Sequence, residues 1–137
     1  MIKDKDGYVT VTLGMFDKHI SQEVFEDFKK RCHEGVVYSE FGSPRQTPLM
    51  TDDEFLQRFS TLDLTRAAAQ ILDVEMSPDG TRMIGTLKAA GGYADLFKNI
   101  IEDDAHFAFG MRSFHYTEDR GQKRPMHVIT YDVINPD

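Results

Sequence analysis

A serine and a histidine two residues apart, Ser113 and His115, come nearest to a hydrolytic site in this sequence. In an extended strand both side chains project from the same face, so a Ser–His contact is possible there. His106 is a second candidate base for the same hydroxyl. Nucleophilic catalysis also needs a group that orients the base and donors for the oxyanion, and the sequence reveals neither. Ordinary strand residues are the alternative interpretation.

Cys32 is the only cysteine among the 137 residues, so the chain alone forms no disulfide, as expected of a protein made in a reducing compartment. Its spacing from Phe28 predicts a buried thiol on the apolar face of a helix. Reactive thiols need exposure as well as positive neighbours, and Lys30, Arg31 and His33 supply only the neighbours. A structural role is therefore the favoured interpretation.

Three histidines fall on or beside the last two predicted strands: His106, His115 and His127. A zinc site there is conceivable, but zinc ligands usually come in closely spaced pairs, and His106 and His115 need not share a face. The acidic run at 102–104 is typical of a solvated helix end. Gly91-Gly92 lacks the Lys-Ser/Thr of a phosphate-binding loop. We therefore expect no metal and no cofactor.

Acidic residues outnumber basic ones, which gives a net charge of −7 and an isoelectric point of about 5.1. Because nucleic-acid-binding proteins usually present a basic face, nucleic acid is not an expected partner. The basic cluster Arg120, Lys123 and Arg124 is predicted to lie in a polar turn, residues 117–124. No apolar run approaches the roughly 20 residues that cross a bilayer, and the polar N-terminus does not resemble a signal peptide.

Hydrophobic periodicity predicts one α+β domain over residues 1–137, with the order β-α-β-α-β-β-α-β-β. Ser21 offers an N-cap and Gly35 an end for the first helix, and Thr51 with Glu54 forms a capping box for the second. Adjacent hairpins and separate helices predict a mainly antiparallel sheet or barrel flanked by about three helices.

Alternation predicts which side chains of each strand are buried. The first strand covers residues 8–16, and its predicted buried face consists of Val9, Val11, Leu13 and Met15. The strand at 69–76 is predicted to bury Leu72, Val74 and Met76, followed by a tight turn at 77–80. In the last strand, His127, Ile129, Tyr131 and Val133 are predicted to alternate with a second set on the opposite face.

Several segments carry short motifs in an order shared with one known family. Ser39-Glu40-Phe41-Gly42-Ser43-Pro44 is similar to the family's Gly-Glu-Leu-Asn-His-Pro, and residues 107–113 fall on its Gly-(Val/Ile)-Ser-Ser-Arg-Gly. Residues 129–136 resemble its Phe-Asp-Val-Val-x-x-Pro-Ser ending. With the hairpin at 69–87 and the helix at 93–101, the chain resembles the prohead proteases of T-even-type tailed phages over nearly its whole length. These are serine proteases with the herpesvirus assemblin fold that cleave scaffold and capsid proteins.

The resemblance implies where catalytic residues should stand, and the chain departs from the pattern at both places. The family histidine falls on Ser43 and the family nucleophile falls on Gly110, whereas Arg112 matches the family's loop arginine. Loss of a base or of a nucleophile costs orders of magnitude in rate. The resemblance therefore implies a protease fold without catalysis.

The expected function is that of a non-catalytic structural protein of a phage head, either a capsid decoration (cement) protein or an assembly factor. Capsid or scaffold subunits are the expected partners, with no membrane partner, and the protein is expected to form homo-oligomers and to reside in the virion after synthesis in the host cytoplasm. The expected binding residues are Arg45, Gln46, Arg120, Lys123 and Arg124.

Two alternatives remain open at this point. The first is an active serine endopeptidase of capsid maturation that uses Ser113 with His115 or His106. The second is a phage-encoded inhibitor that binds a host enzyme through its acidic surface.

Overall fold

A computed structural model describes residues 2–3, 7–16, 20–103, 107–117 and 123–134. Within these residues the chain forms three helices and seven strands, and the α+β class is confirmed. The elements are β1 (Ile2–Lys3), β2 (Tyr8–Met15), α1 (Gln22–His33), β3 (Tyr38–Glu40), α2 (Asp52–Ser60), β4 (Ala67–Met76), β5 (Arg82–Ala89), α3 (Ala94–Glu102), β6 (Ala108–Thr117) and β7 (Lys123–Ile134). The predicted order is confirmed except for the short strand β1, which it lacked.

Two antiparallel sheets meet along the edge of β3. The larger sheet has the order β1-β2-β5-β4-β3, and β6 pairs with β7 in the smaller one. Phe41, directly after β3, forms a parallel bridge with Val133 of β7. The Gly42 amide donates to the Val133 carbonyl at 2.7 Å, and the Thr130 hydroxyl donates to the Tyr38 carbonyl at 2.8 Å. The end of β3 is therefore held beside β7.

Helix α1 packs its apolar face on the core that the strands share. The Ser21 hydroxyl accepts from the Val24 amide at 3.1 Å, which confirms the predicted N-cap. Phe25, Phe28 and Cys32 are buried, and the Phe28 ring meets the Tyr131 ring edge-on at 5.9 Å. This helix thereby ties the core to the smaller sheet. None of the described helices is both long and apolar enough to span a membrane.

Two β-bulges change which side chains are buried. Leu13 is an extra residue of β2 opposite β5, and Leu72 is an extra residue of β4 opposite the same strand. Each bulge reverses the alternation that follows it. The predicted burial of Met15 is therefore wrong, because this side chain is 75% exposed. Ile71, not Leu72, occupies the buried position in β4.

Within strand β7, both of the alternating sets of side chains are covered over residues 128–133. Residues 128–133 are all at most 5% exposed. Tyr131 and Val133 belong to the apolar core, whereas Thr130 and Asp132 face polar partners on the other side. The neighbouring β3, together with Arg112 of β6, covers this polar face. This polar face of β7 carries the candidate functional site.

Candidate functional site

Four charged side chains from four different elements meet at the junction of the two sheets, and a fifth, Arg66, lies at their edge with its Nε 3.7 Å from Glu40 Oε1. The four are Glu40 of β3, Arg58 of α2, Arg112 of β6 and Asp132 of β7, and they are called the ion cluster below. The side chains of Glu40 and Asp132 are 0% exposed, and that of Arg112 is 1% exposed. Buried charges need paired and hydrogen-bonded partners, since desolvation costs several kcal/mol per ion.

Arg112 binds Asp132 through two parallel hydrogen bonds. Its Nε donates to Oδ2 at 3.0 Å and its Nη2 donates to Oδ1 at 2.7 Å. The remaining nitrogen, Nη1, donates to the backbone carbonyls of Phe59 at 3.2 Å and Thr61 at 2.9 Å. These carbonyls lie at the C-terminal end of α2, where they lack helical partners. Arg112 thus caps α2 while it neutralises Asp132.

Glu40 holds the other half of the cluster together. Its Oε2 accepts from Arg58 Nη1 at 3.1 Å and from the Asp63 amide at 3.0 Å. Oε1 accepts from Arg58 Nη2, and Arg112 Nη2 lies 3.1 Å from Oε2. The Glu40 amide donates to Asp132 Oδ1 at 3.1 Å. Through its two hydrogen bonds to Glu40, Arg58 anchors α2 to β3.

The two carboxylates of the cluster have opposite pKa shifts. Burial acts to raise the pKa of Glu40, but hydrogen bonds from Arg58 and the Asp63 amide outweigh it, so the pKa lies below its usual value. Burial also raises the pKa of Asp132, and there Arg112 offsets the effect only in part. Glu40 is therefore the firmly ionised member of the pair.

Ser43 and Gly110, the two positions where the resemblance implies catalytic residues of the family, lie beside Asp132. The Ser43 hydroxyl donates to Asp132 Oδ2 at 3.4 Å, and Gly110 is the cross-strand partner of Asp132 in the β6–β7 ladder. A Cβ at Gly110 would lie 3.3 Å from Ile134 Cδ1, which is tight. A carboxylate is a weak base for a serine hydroxyl, so the Ser43–Asp132 contact orients the hydroxyl rather than activating it.

The sequence indicated three members of this arrangement and missed three others. Ser43, Gly110 and Arg112 were identified from the motifs. The resemblance implies a loop arginine at Arg112, whereas Arg112 lies in strand β6. Glu40, Arg58 and Asp132 were not predicted as site residues. The available signal was a carboxylate within a predicted apolar strand, as in Tyr131-Asp132-Val133, because such a charge must find a buried partner.

Ser113 lies on the opposite face of β6 from Arg112, because successive side chains of a strand point to opposite faces. It is 6% exposed. His115 pairs with Pro125 in the ladder, but its side chain lies outside the described residues, as does all of His106. A contact between Ser113 and either histidine therefore stays a prediction.

The predicted binding residues lie in two separate segments. Arg45 and Gln46 are exposed in the loop between β3 and α2. Lys123 and Arg124 begin β7, so the predicted turn at 117–124 is wrong at both ends, since β6 continues to Thr117. Their side chains, and Arg120 entirely, lie outside the described residues.

Cys32 and His127, two further residues considered from the sequence, have ordinary structural surroundings. Burial raises the pKa of the Cys32 thiol to about 12, as expected of an unreactive core residue. His127 Nδ1 lies 3.6 Å from Asp27 Oδ2, and His33 Nε2 lies 2.6 Å from Asp73 Oδ1. In the described part of the chain, no group of three or more His, Cys, Asp or Glu residues is arranged to hold a metal ion.

Comparison with known proteins gives one family. The model of the peptidase S80 family matches residues 1–137. No curated protein and no solved structure matches the chain. Because the family match covers the full sequence, the resemblance to prohead proteases is confirmed, and the chain belongs to the peptidase S80 family.

Proposed function

We propose that this chain is a non-catalytic member of its family that acts by binding other proteins in a phage head. The observation that carries the proposal is the setting of Asp132, which lies between Ser43 and Gly110. The resemblance implies a histidine and a serine at these two positions. Here the buried carboxylate of Asp132 is bound by Arg112 and by the Glu40 amide, so it holds the two sheets together, whereas Ser43 is exposed.

The partners that fit this proposal are capsid or scaffold subunits, with the chain as a decoration protein or an assembly factor in the virion. A family fold without catalysis keeps a surface that its relatives use to recognise head proteins. Two segments are the proposed contacts: the loop with Arg45 and Gln46, and the basic segment with Arg120, Lys123 and Arg124. Exposed loops on a rigid scaffold commonly carry binding residues.

Activity-based labelling tests the absence of catalysis. The purified chain is incubated with a fluorophosphonate probe for activated serines, with chymotrypsin as the positive control, and separately with scaffold protein. We expect no specific labelling and no cleavage, because the Ser43 hydroxyl contacts a carboxylate, which is too weak a base to activate it.

The competing function, an endopeptidase that uses Ser113, makes the opposite prediction in the same experiment. Its support is that Ser113 lies in the strand that aligns with the family's active segment. Labelling that Ser113→Ala abolishes and Ser43→Ala retains would reject the non-catalytic proposal and establish the endopeptidase.

A further inference from the structure

Leu49 is 94% exposed, the highest value among the large apolar side chains in the described ranges. It lies at the corner of a turn in the loop between β3 and α2. The Met50 amide donates to the Thr47 carbonyl at 3.0 Å, so Pro48 and Leu49 are the central residues of this turn. Proline at the first central position restricts the backbone there. The turn thus presents Leu49 to solvent in a restricted conformation.

The loop around Leu49 is fixed at several points. Gln46 Nε2 donates to the Met50 carbonyl at 3.3 Å and to Asp52 Oδ1 at 2.8 Å, which bridges the two sides of the turn. Directly after it, Thr51 and Glu54 form the capping box of α2. These bonds hold the backbone while the apolar side chain stays in water. A preorganised loop loses little conformational entropy when it binds.

The base of the loop is attached to the ion cluster. The Gly42 amide donates to the Val133 carbonyl at 2.7 Å, and the Ser43 hydroxyl contacts Asp132 at 3.4 Å. At the other end, α2 is anchored through Arg58 to Glu40. Both ends of the loop are therefore fixed to the same buried junction, which sets the position of Leu49 relative to the sheets.

The charges beside Leu49 indicate the chemistry of what it meets. Asp52 and Asp53 are exposed in the first turn of α2. An anchor side chain that inserts into a pocket usually has a polar rim around it, and carboxylates complement a rim of Lys or Arg.

We propose that Leu49 is the anchor by which this chain docks on a head subunit of a different kind, into an apolar pocket rimmed by Lys or Arg. This inference rests on the proposed function and specifies its contact. Gln46, which the sequence suggested as a contact residue, acts instead as a positioning residue that braces the turn.

Co-sedimentation with proheads tests the anchor. Proheads of the encoding phage, assembled without this chain, are mixed with the wild type, with Leu49→Asp and with Met15→Asp. Met15 is the matched control, because it is 75% exposed but lies in the larger sheet. We expect Leu49→Asp to weaken binding at least about tenfold, with Met15→Asp equal to the wild type and all melting temperatures unchanged.

The other outcomes would overturn the anchor, the proposed function or the choice of partner. Equal binding by the wild type and Leu49→Asp would overturn the anchor and leave the proposed function intact. Failure of the wild type to bind proheads would overturn both. Self-association of the pure chain that Leu49→Asp abolishes would assign the pocket to a second copy and overturn the choice of a different subunit. Gln46→Ala should lose part of the affinity for proheads. The double variant Asp52→Asn with Asp53→Asn should bind proheads with a weaker dependence on salt concentration.

Discussion

Glu40 is a fully buried carboxylate whose oxygens are shared by Arg58, Arg112 and the Asp63 amide. A residue of this kind stabilises the fold only while its partners remain in place, because each unpaired charge left behind is costly. Glu40 connects α2, of which no residue is buried, to β3, in addition to the edge-on contact between the rings of Phe59 in α2 and Phe114 in β6.

Replacing Glu40 by Gln should lower the free energy of unfolding by about 3 kcal/mol or more, because Arg58 and Arg112 lose a buried counter-charge while the volume is unchanged. Urea unfolding at pH 7 measures the loss. Glu75→Gln is the matched control, since Glu75 is 68% exposed in its pair with Lys29. That change should cost about 1 kcal/mol or less. Similar losses in the two variants would contradict the role assigned to the ion cluster.

The turn between β4 and β5 shows how a short segment can carry its own pH dependence. Asp79 Oδ1 accepts from the Ser77 hydroxyl at 2.6 Å, the Thr81 hydroxyl at 2.7 Å and the Thr81 amide at 3.1 Å. These hydrogen bonds, with that from Ser77 the largest cause, lower the pKa of Asp79 to about 2.

Because the pKa of Asp79 is lower in the folded chain than in the unfolded chain, the ionised carboxylate stabilises the fold. The contribution is complete above the unfolded pKa, about 4, and is lost as the pH falls through about 2. Asp79→Asn should therefore remove part of the acid sensitivity. The difference in melting temperature between the two proteins should narrow from pH 5 to pH 2. An Asp79 carboxyl that titrates near pH 4 by NMR would refute this.

Local features were predictable from sequence, whereas features that depend on distant segments were not. The cap at Ser21, the box of Thr51 and Glu54, and the turn at 77–80 each arise from residues within four positions of each other. The bulges at Leu13 and Leu72 were missed, because an extra residue is defined only against the partner strand. The ion cluster was missed for the same reason, since Glu40 and Asp132 are 92 residues apart.

At the scale of the whole molecule, the net charge is −7, whereas the segment near residues 120–124 is basic. Replacing Arg120, Lys123 and Arg124 by Ala should weaken assembly with head subunits, most strongly at low salt, because exposed charges are screened as salt rises. The melting temperature should stay nearly unchanged, since surface charges contribute little to folding. Light scattering during assembly over a salt series measures the effect.

The control for that triple variant replaces three lysines that are exposed elsewhere in the chain, Lys30, Lys88 and Lys98, so that the net charge changes equally. If assembly is lost only in the variant of the basic segment, the effect comes from a local contact and not from the change in net charge. Normal assembly of the triple variant at every salt concentration, together with normal assembly of Arg45→Ala with Gln46→Ala, would reject both segments as the interface.

The buried carboxylate of Glu40 also determines when parts of this chain can close during synthesis. Arg58 and Asp63 leave the ribosome soon after Glu40, whereas Asp132 follows 92 residues later. Until β6 and β7 exist, burial of Glu40 would lack Arg112, so the carboxylate is better solvated in water. We therefore expect the end of β3 to remain open in the nascent chain until the final hairpin is translated and Arg112 can pair with Glu40 and cap α2.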